Sequence, residues 1–348
     1  MAKRQYWQAI RGMCILAVIM IHSLGGFDST SGTVLLVLRQ LINFAVAIFI
    51  FMSGYFVSVN KFTAHQDHQS WLMTRGGRLL TPFVIWSIFY SGIAVLQNIL
   101  AGEQIHWLGV IYRFAVGKAA TPFYYIIALF QLTVITPWLC NIIQSDGKDK
   151  VKKLLWLVTP AYLAYIYLWN FLKGSTPFLY ETFFPAWFVF YYLGLQVKCG
   201  KVRIRCGFGC VLISLLLSCI EALTLRRLGM ATGFYTSQIT VGSFLFSIAI
   251  IGWILKIAEM NKGSDITQKK GMKLLAKVGD CSYGMFYIHV FVLMLAAEIA
   301  QAVGITGNWW LYDGFRFMVA ASAGYIIVRA TQLMLRKRQR LLQWFGLI

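Results

Sequence analysis

Apolar residues arrive in long runs, separated by short clusters rich in Lys, Arg, Asp and Gly. About ten of these runs reach the roughly 17 to 25 residues that a helix needs to cross a bilayer. They cover approximately 7–26, 33–58, 79–100, 121–144, 154–171, 182–198, 207–225, 236–258, 278–302 and 310–335. The connections are short, none is long enough for a separate soluble domain, and no repeat relates the two halves. The pattern predicts an all-α fold: a polytopic transmembrane helical bundle of about ten spanning helices over residues 1–335, followed by a short basic tail, 336–348.

Composition changes the solvent, not the pattern. Hydrophobic residues make up 59% of the 348 and charged residues 13%, with a mean hydropathy of +0.66. A soluble domain would carry about 25% charge. So much apolar surface has no core large enough to hide in, and lipid must solvate it.

The net charge of +20 sits in short blocks between the runs and reads as loop charge, not as a nucleic-acid footprint. With the N-terminal side taken as inside, the inner segments hold 22 Lys and Arg residues and the outer loops five. Arg226 and Arg227 are the only cluster on the wrong side. The positive-inside rule therefore predicts cytoplasmic N- and C-termini. The seven cysteines are odd in number and lack metal-ligand spacing, so reduced thiols are expected, with neither a disulfide framework nor a metal. Met1 to Gln5 lead straight into a full-length apolar run, which predicts no cleavable signal.

Five basic residues lie at or within the runs. Lys256 and Arg329 are near inner ends and can snorkel. Arg39 and Arg316 lie nearer the outer ends, where two readings stay open: snorkelling, or pairing with Asp28, Glu181 or Asp313.

The fifth is Arg11, which opens the stretch RGMCILAVIMIHS with His22 near its end. Eleven helical steps return almost to the starting direction and rise about 16 Å, so the two share a face. An imidazole inside a membrane is costly unless it meets a bundle interior or a wet cavity. It is also the side chain suited to taking a proton near neutral pH. A packing role against a neighbouring helix is the alternative.

Arg75 and Arg78, three apart on the lead-in to the third run, share a helix face and make a guanidinium fork suited to phosphate. Ordinary cytoplasmic anchoring explains them equally well. In KVGDCSYGMFYIHVF, residues 277–291, Ser282, Tyr283, Tyr287 and His289 bring hydroxyls and a second imidazole into the ninth run, for packing or for a site. No G-x-S-x-G elbow, Walker A loop, H-E-x-x-H or post-strand G-x-G-x-x-G occurs, which removes serine-hydrolase, ATPase and zinc-protease readings.

Taken together, these stretches resemble the acyltransferase 3 family of polytopic membrane O-acyltransferases. The resemblance rests on Arg11-Gly12 with His22, on Phe51-Met52-Ser53-Gly54-Tyr55-Phe56, on Arg75 and Arg78 with Leu79-Leu80-Thr81-Pro82-Phe83, and on Gly279, Ser282, Phe286 or Tyr287, and His289. It covers essentially the whole chain. One segment departs: where the family often has a His-Leu-Trp-Phe-like stretch, this chain reads Thr121-Pro122-Phe123-Tyr124-Tyr125-Ile126. No soluble domain of the kind that some members carry is expected here.

The resemblance implies transfer of an acyl group, usually acetyl, from cytoplasmic acetyl-CoA to a hydroxyl of a cell-envelope polysaccharide or lipid-linked sugar, in a bacterial plasma membrane. It further implies His22 and Arg11 as catalytic residues, His22 as base or acyl carrier and Arg11 on the same helix face nearer the cytoplasmic donor. Arg75 and Arg78 would hold the donor, and Ser282, Tyr287, His289, Arg39 and Glu181 are site-lining candidates. The rival from the residues themselves is a transporter or flippase of an envelope precursor. Such folds commonly show repeats or broken helices, and neither is evident in the sequence.

Overall fold

The computed structural model describes residues 2–27, 32–62, 68–260, 269–305 and 309–347, and among these no strand forms. The N-terminal half contains α1 (Ala2–Ser23), α2 (Gly32–Ile42), α3 (Ala45–Tyr55), α4 (His68–Leu100), α5 (Trp107–Ala115), α6 (Tyr124–Gln144), α7 (Asp149–Leu155) and α8 (Val158–Lys173). The C-terminal half adds α9 (Phe188–Lys198), α10 (Phe208–Arg227), α11 (Thr232–Tyr235), α12 (Val241–Met260), α13 (Lys270–Asp280), α14 (Ser282–Ala302), α15 (Trp309–Met334) and α16 (Gln339–Trp344).

Among the described residues, eight helical stretches are long and apolar enough to cross a membrane. Their outer faces suit lipid. On α10, Leu212, Ile213, Leu216, Leu217 and Ile220 are all exposed, at the spacing that puts them on one side of a helix. Asp28, one of the expected ion-pair partners, lies outside the described residues.

Two of the ten predicted runs are not among the eight. α1 is long enough at 22 residues, but Arg11 and His22 dilute its apolar character. The run at 182–198 differs more. Its helix, α9, has only 11 residues, about 16 Å of rise against a hydrocarbon core of about 30 Å. The residues before it form an irregular stretch with a single 3-10 turn at Phe184–Ala186.

Irregular backbone at membrane depth survives only where protein or a wet cavity satisfies it, and here side chains do so. Gln131 Nε2 donates to the Thr182 carbonyl at 3.1 Å, and the Phe184 amide donates to Gln131 Oε1 at 3.0 Å. Thr159 Oγ1 donates to the Pro185 carbonyl at 2.7 Å, and Trp187 Nε1 to the Glu181 carbonyl at 2.8 Å. Leu179 within this stretch has φ 55°, a left-handed conformation that costs a branched residue about 1–3 kcal/mol.

Burial in lipid does not drive helices together, so close packing must. Two glycine crossings provide it. A Cβ on Gly12 of α1 would sit 2.0 Å from the Leu275 carbonyl oxygen of α13, and one on Gly279 would sit 1.8 Å from the Gln8 oxygen. The α1 and α13 backbones touch there, which sets Arg11 beside the start of α14. Gly54 and Gly194 do the same for α3 and α9, with Tyr191 and Phe51 carbonyls 2.3 Å from the added atoms.

The break between α2 and α3 falls at Asn43, whose amide reaches Gln40 Oε1 at 3.1 Å and Ser243 Oγ at 3.3 Å; Ser218 Oγ joins Gln40 at 2.8 Å. This buried polar cluster ties the break to α10 and α12. The basic tail is no loose end. Leu342 and Leu347 are buried, Trp86 Nε1 donates to the Phe345 carbonyl at 3.0 Å, and Gln332 Nε2 to that of Leu347 at 2.7 Å. Residues 336–347 thus fold back against α4, α14 and α15.

Candidate active site

The C-terminal end of α1 leaves carbonyls without helical partners, and two arginines take them. Arg39 Nη1 of α2 donates to the Ile21 carbonyl at 2.8 Å, while its Nε reaches the Thr236 carbonyl at 3.1 Å. Arg316 Nη1 of α15 donates to the Ser23 carbonyl at 3.3 Å. Cations at a helix C-terminus also complement the helix dipole. These bonds bracket His22 in the chain and fix the end of the helix that carries it. Of the two open readings for these arginines, Arg316 pairs with Asp313 at 3.9 Å. Arg39 instead goes to carbonyls, with Glu181 acting on it from a distance.

His22 meets His289 of α14, with ring centroids 5.3 Å apart. His289 is fully buried. Its Nδ1 lies 2.8 Å from the Phe286 carbonyl and 3.1 Å from that of Met285. Carbonyls only accept, so Nδ1 carries the proton and Nε2 keeps its lone pair. That Nε2 is buried without a partner.

Three cavities lie in series along this track. The inner one, of about 310 Å³, is lined by Gln8, Arg11, Ser53, Tyr125, Asp280 and Ser282 among others. Arg11 Nη1 is bonded to Gln8 Oε1 at 3.2 Å. A neck of only about 20 Å³ follows, lined by His22, Phe49, Tyr124, Tyr125, Gln238 and Phe286 among others. That is room for about one water. The outer cavity, of about 430 Å³, is lined by Lys118, Thr121, Tyr124, Phe178, Tyr180 and Glu181 among others.

Shared walls define the order. Tyr125, Phe49 and Phe286 line both the inner cavity and the neck, and Tyr124 lines both the neck and the outer cavity. Tyr125 stands edge-on to Phe286 at 5.5 Å and is hydrogen-bonded to the Ser53 side chain. At the neck, Gln238 Oε1 is a second buried polar atom without a partner. Unpaired buried groups at a constriction are what a reacting ligand or water would satisfy.

The remaining expected site residues divide. Arg75 is partly buried, its Nη2 3.0 Å from the Ser53 carbonyl and its guanidinium over Trp71 at 5.6 Å. That places it beside the inner cavity's wall. Arg78 is exposed, and its carbonyl accepts from the Tyr283 hydroxyl at 3.2 Å. Ser282 lines the inner cavity. Tyr287 does not share that wall: its ring stacks on Trp86 at 6.0 Å, and its hydroxyl meets Tyr283 at 3.1 Å. Glu181 lines the outer cavity, where the Tyr180 hydroxyl donates to its Oε1 at 3.0 Å.

Sequence reasoning passed over Tyr124, Tyr125 and Gln238 as site residues, and named Phe286 only as an alternative to Tyr287 in the late motif. The first two belong to the Thr121–Ile126 stretch noted only as a departure, and aromatic residues in apolar runs carry no local sign of a site. Among the described residues, no group of three or more His, Cys, Asp and Glu is placed to hold a metal ion.

The chain is thus a multi-pass helical membrane protein with a His22–His289 pair beside the constriction between two cavities. A family model described as an acyltransferase domain matches residues 4–329. The chain belongs to the acyltransferase 3 family, and with it to the membrane acyltransferases. Comparisons with curated proteins and with solved structures give no match.

Proposed function

We propose that the protein O-acylates a cell-envelope glycan or lipid-linked sugar, moving an acyl group, acetyl first, from cytoplasmic acyl-CoA to a sugar hydroxyl. The observation that carries this reading is that His22 lines a narrow neck whose walls are shared with the inner cavity on one side and the outer cavity on the other. The inner cavity takes the donor. Arg11 faces it and Arg75 stands at its wall, supplying cations for the phosphates of CoA. The roughly 16 Å from Arg11 to His22 along α1 is a gap that the extended pantetheine arm can bridge.

At the neck, His22 takes the proton of the acceptor hydroxyl as its oxygen attacks the thioester carbonyl carbon. A carbon–oxygen bond forms, the carbon–sulfur bond breaks, and the departing thiolate takes the proton back from His22. The Gln238 amide and the Tyr124 hydroxyl flank the place where negative charge develops on the carbonyl oxygen. His289, its Nδ1–H locked by two carbonyls, keeps its Nε2 lone pair unpartnered beside His22 and can orient the base through a bridging water.

The positive-inside pattern supports ten membrane passages with both ends cytoplasmic, with α1 and the α9 segment added to the eight apolar stretches, and the membrane is a bacterial plasma membrane. The transporter reading draws support from the broken segment before α9. A neck with room for about one water suits a reacting pair of atoms better than a moving sugar.

The test uses purified protein, radiolabelled acetyl-CoA and an envelope glycan extract. The expected product is an alkali-labile ester, absent with His22→Ala. An unlabelled extract, or full activity in His22→Ala, overturns the reading. Acetyl-CoA-independent uptake of the glycan into vesicles would favour the transporter.

A further inference from the structure

The stretch before α9 is expensive to maintain. Its backbone leaves the helix in what the sequence marks as an apolar run, Leu179 is held in a left-handed conformation, and side chains of Gln131, Thr159 and Trp187 are spent on its carbonyls and amides. The Tyr162 hydroxyl adds another bond, to the Tyr180 carbonyl at 3.1 Å. An ordinary α9 extended by two turns would need none of these. What the irregular stretch does accomplish is to bring Thr176, Phe178, Tyr180, Glu181 and Thr182 to the wall of the outer cavity.

That wall has a definite chemistry. Hydroxyls of Thr121, Thr176 and Thr182 both donate and accept. The Glu181 carboxylate only accepts, and bonds to an ionised acceptor are the stronger kind. Lys118 lies 5.6 Å from the Phe178 ring, so its charge is drawn to the rim. The volume, about 430 Å³, falls within the roughly 300–1,000 Å³ of small-ligand sites. One wall, Tyr124, is also a wall of the His22 neck.

We infer that the outer cavity is the acceptor site: it binds one polyhydroxylated sugar unit, with Glu181 accepting hydrogen bonds from its hydroxyls and Tyr124 dividing it from His22. This inference rests on the acyl-transfer reading for the word acceptor, but the site itself is testable without any chemistry. Glu181 is the specificity-determining group, because a carboxylate favours neighbouring hydroxyls and repels anionic sugars. The broken helix is therefore the acceptor platform. Phe178, exposed at the rim, offers an apolar surface to the sugar ring.

The experiment measures equilibrium binding of tritium-reduced oligosaccharides, released by mild acid from an envelope extract, to the purified full-length protein in nanodiscs. The unmodified protein is expected to bind them with no acetyl-CoA present. Glu181→Gln is expected to weaken binding about tenfold, and Phe178→Ala by a smaller factor, with acetyl-CoA binding unchanged in both. Phe178→Ala serves as the surface variant if Glu181→Gln does not fold. Unchanged oligosaccharide binding in both variants overturns the site, as does an equal loss of acetyl-CoA binding. Binding that follows this pattern in a protein that forms no ester supports the site and overturns the acyl-transfer reading. Ester formation at wild-type acceptor KM in Glu181→Gln does the reverse.

Discussion

His289 turns its Nδ1–H into the carbonyls of Phe286 and Met285, 2.8 and 3.1 Å away, and stands with its ring centroid 5.3 Å from that of His22. Two imidazoles from helices far apart in the chain thus share one constriction, and the backbone of α14 decides which nitrogen of His289 is free. His289→Ala should lower kcat by about 10²-fold while leaving both KM values within about threefold, because an orienting partner acts on the base and not on binding. A steady-state kinetic comparison with His22→Ala checks this. Equal kcat in His289→Ala and unmodified protein would remove His289 from the mechanism.

The end of α1 predicts a second effect. Arg39 bonds the Ile21 carbonyl, one residue before His22. Hydrogen bonds to charged groups contribute about 1.5–3 kcal/mol, so Arg39→Met should lower kcat tenfold or more. Arg39→Lys should recover only part of it, since one ammonium cannot serve both Ile21 and Thr236 in the geometry of a planar fork. Arg316→Met should cost less, its bond to the Ser23 carbonyl being longer at 3.3 Å.

The two loop arginines, alike in sequence, should behave differently. Arg75 is held at the inner cavity's wall by the Ser53 carbonyl, whereas the Arg78 side chain is exposed. Arg75→Ala is expected to raise the KM for acetyl-CoA about tenfold with acceptor KM unchanged, and Arg78→Ala to raise it by less than Arg75→Ala does. An Arg75→Ala effect confined to the acceptor would place the donor elsewhere.

Glycine at the α1–α13 crossing gives a stability prediction. A methyl group on Gly279 would lie 1.8 Å from the Gln8 carbonyl oxygen, so Gly279→Ala must push the two backbones apart. Overpacking of this kind costs about 1–3 kcal/mol. A lowered Tm in detergent is expected, together with loss of activity as Arg11 and Ser282 separate. Gly271→Ala, with open space around the added atom, is the matched control and should be silent.

What could be read in the sequence was whatever depends on local spacing. Arg11 and His22 share a face because they are eleven residues apart on one helix, and the eight long helices follow from apolar length. The segment before α9 was not legible. Hydropathy counts composition, and Phe183, Phe184, Pro185, Ala186 and Trp187 are apolar whether or not they are helical. Their backbone partners, Gln131 and Thr159, lie on other helices, and that information exists only after folding. The neck escaped for the same reason: Tyr124, Tyr125, Gln238 and Phe286 converge from three separate parts of the chain.

The small neck has a consequence outside the chemistry. With the proposed topology, the inner cavity opens toward cytoplasm and the outer toward the far side, and a wide passage between them would be a hole in an energised membrane. Tyr124, Tyr125, Phe49 and Phe286 leave about 20 Å³ around His22, too little for a hydrated ion or a continuous file of water. A transferase on this plan can work across a charged bilayer without discharging it, and small replacements at Tyr124 or Phe286 would be expected to betray themselves first as a leak.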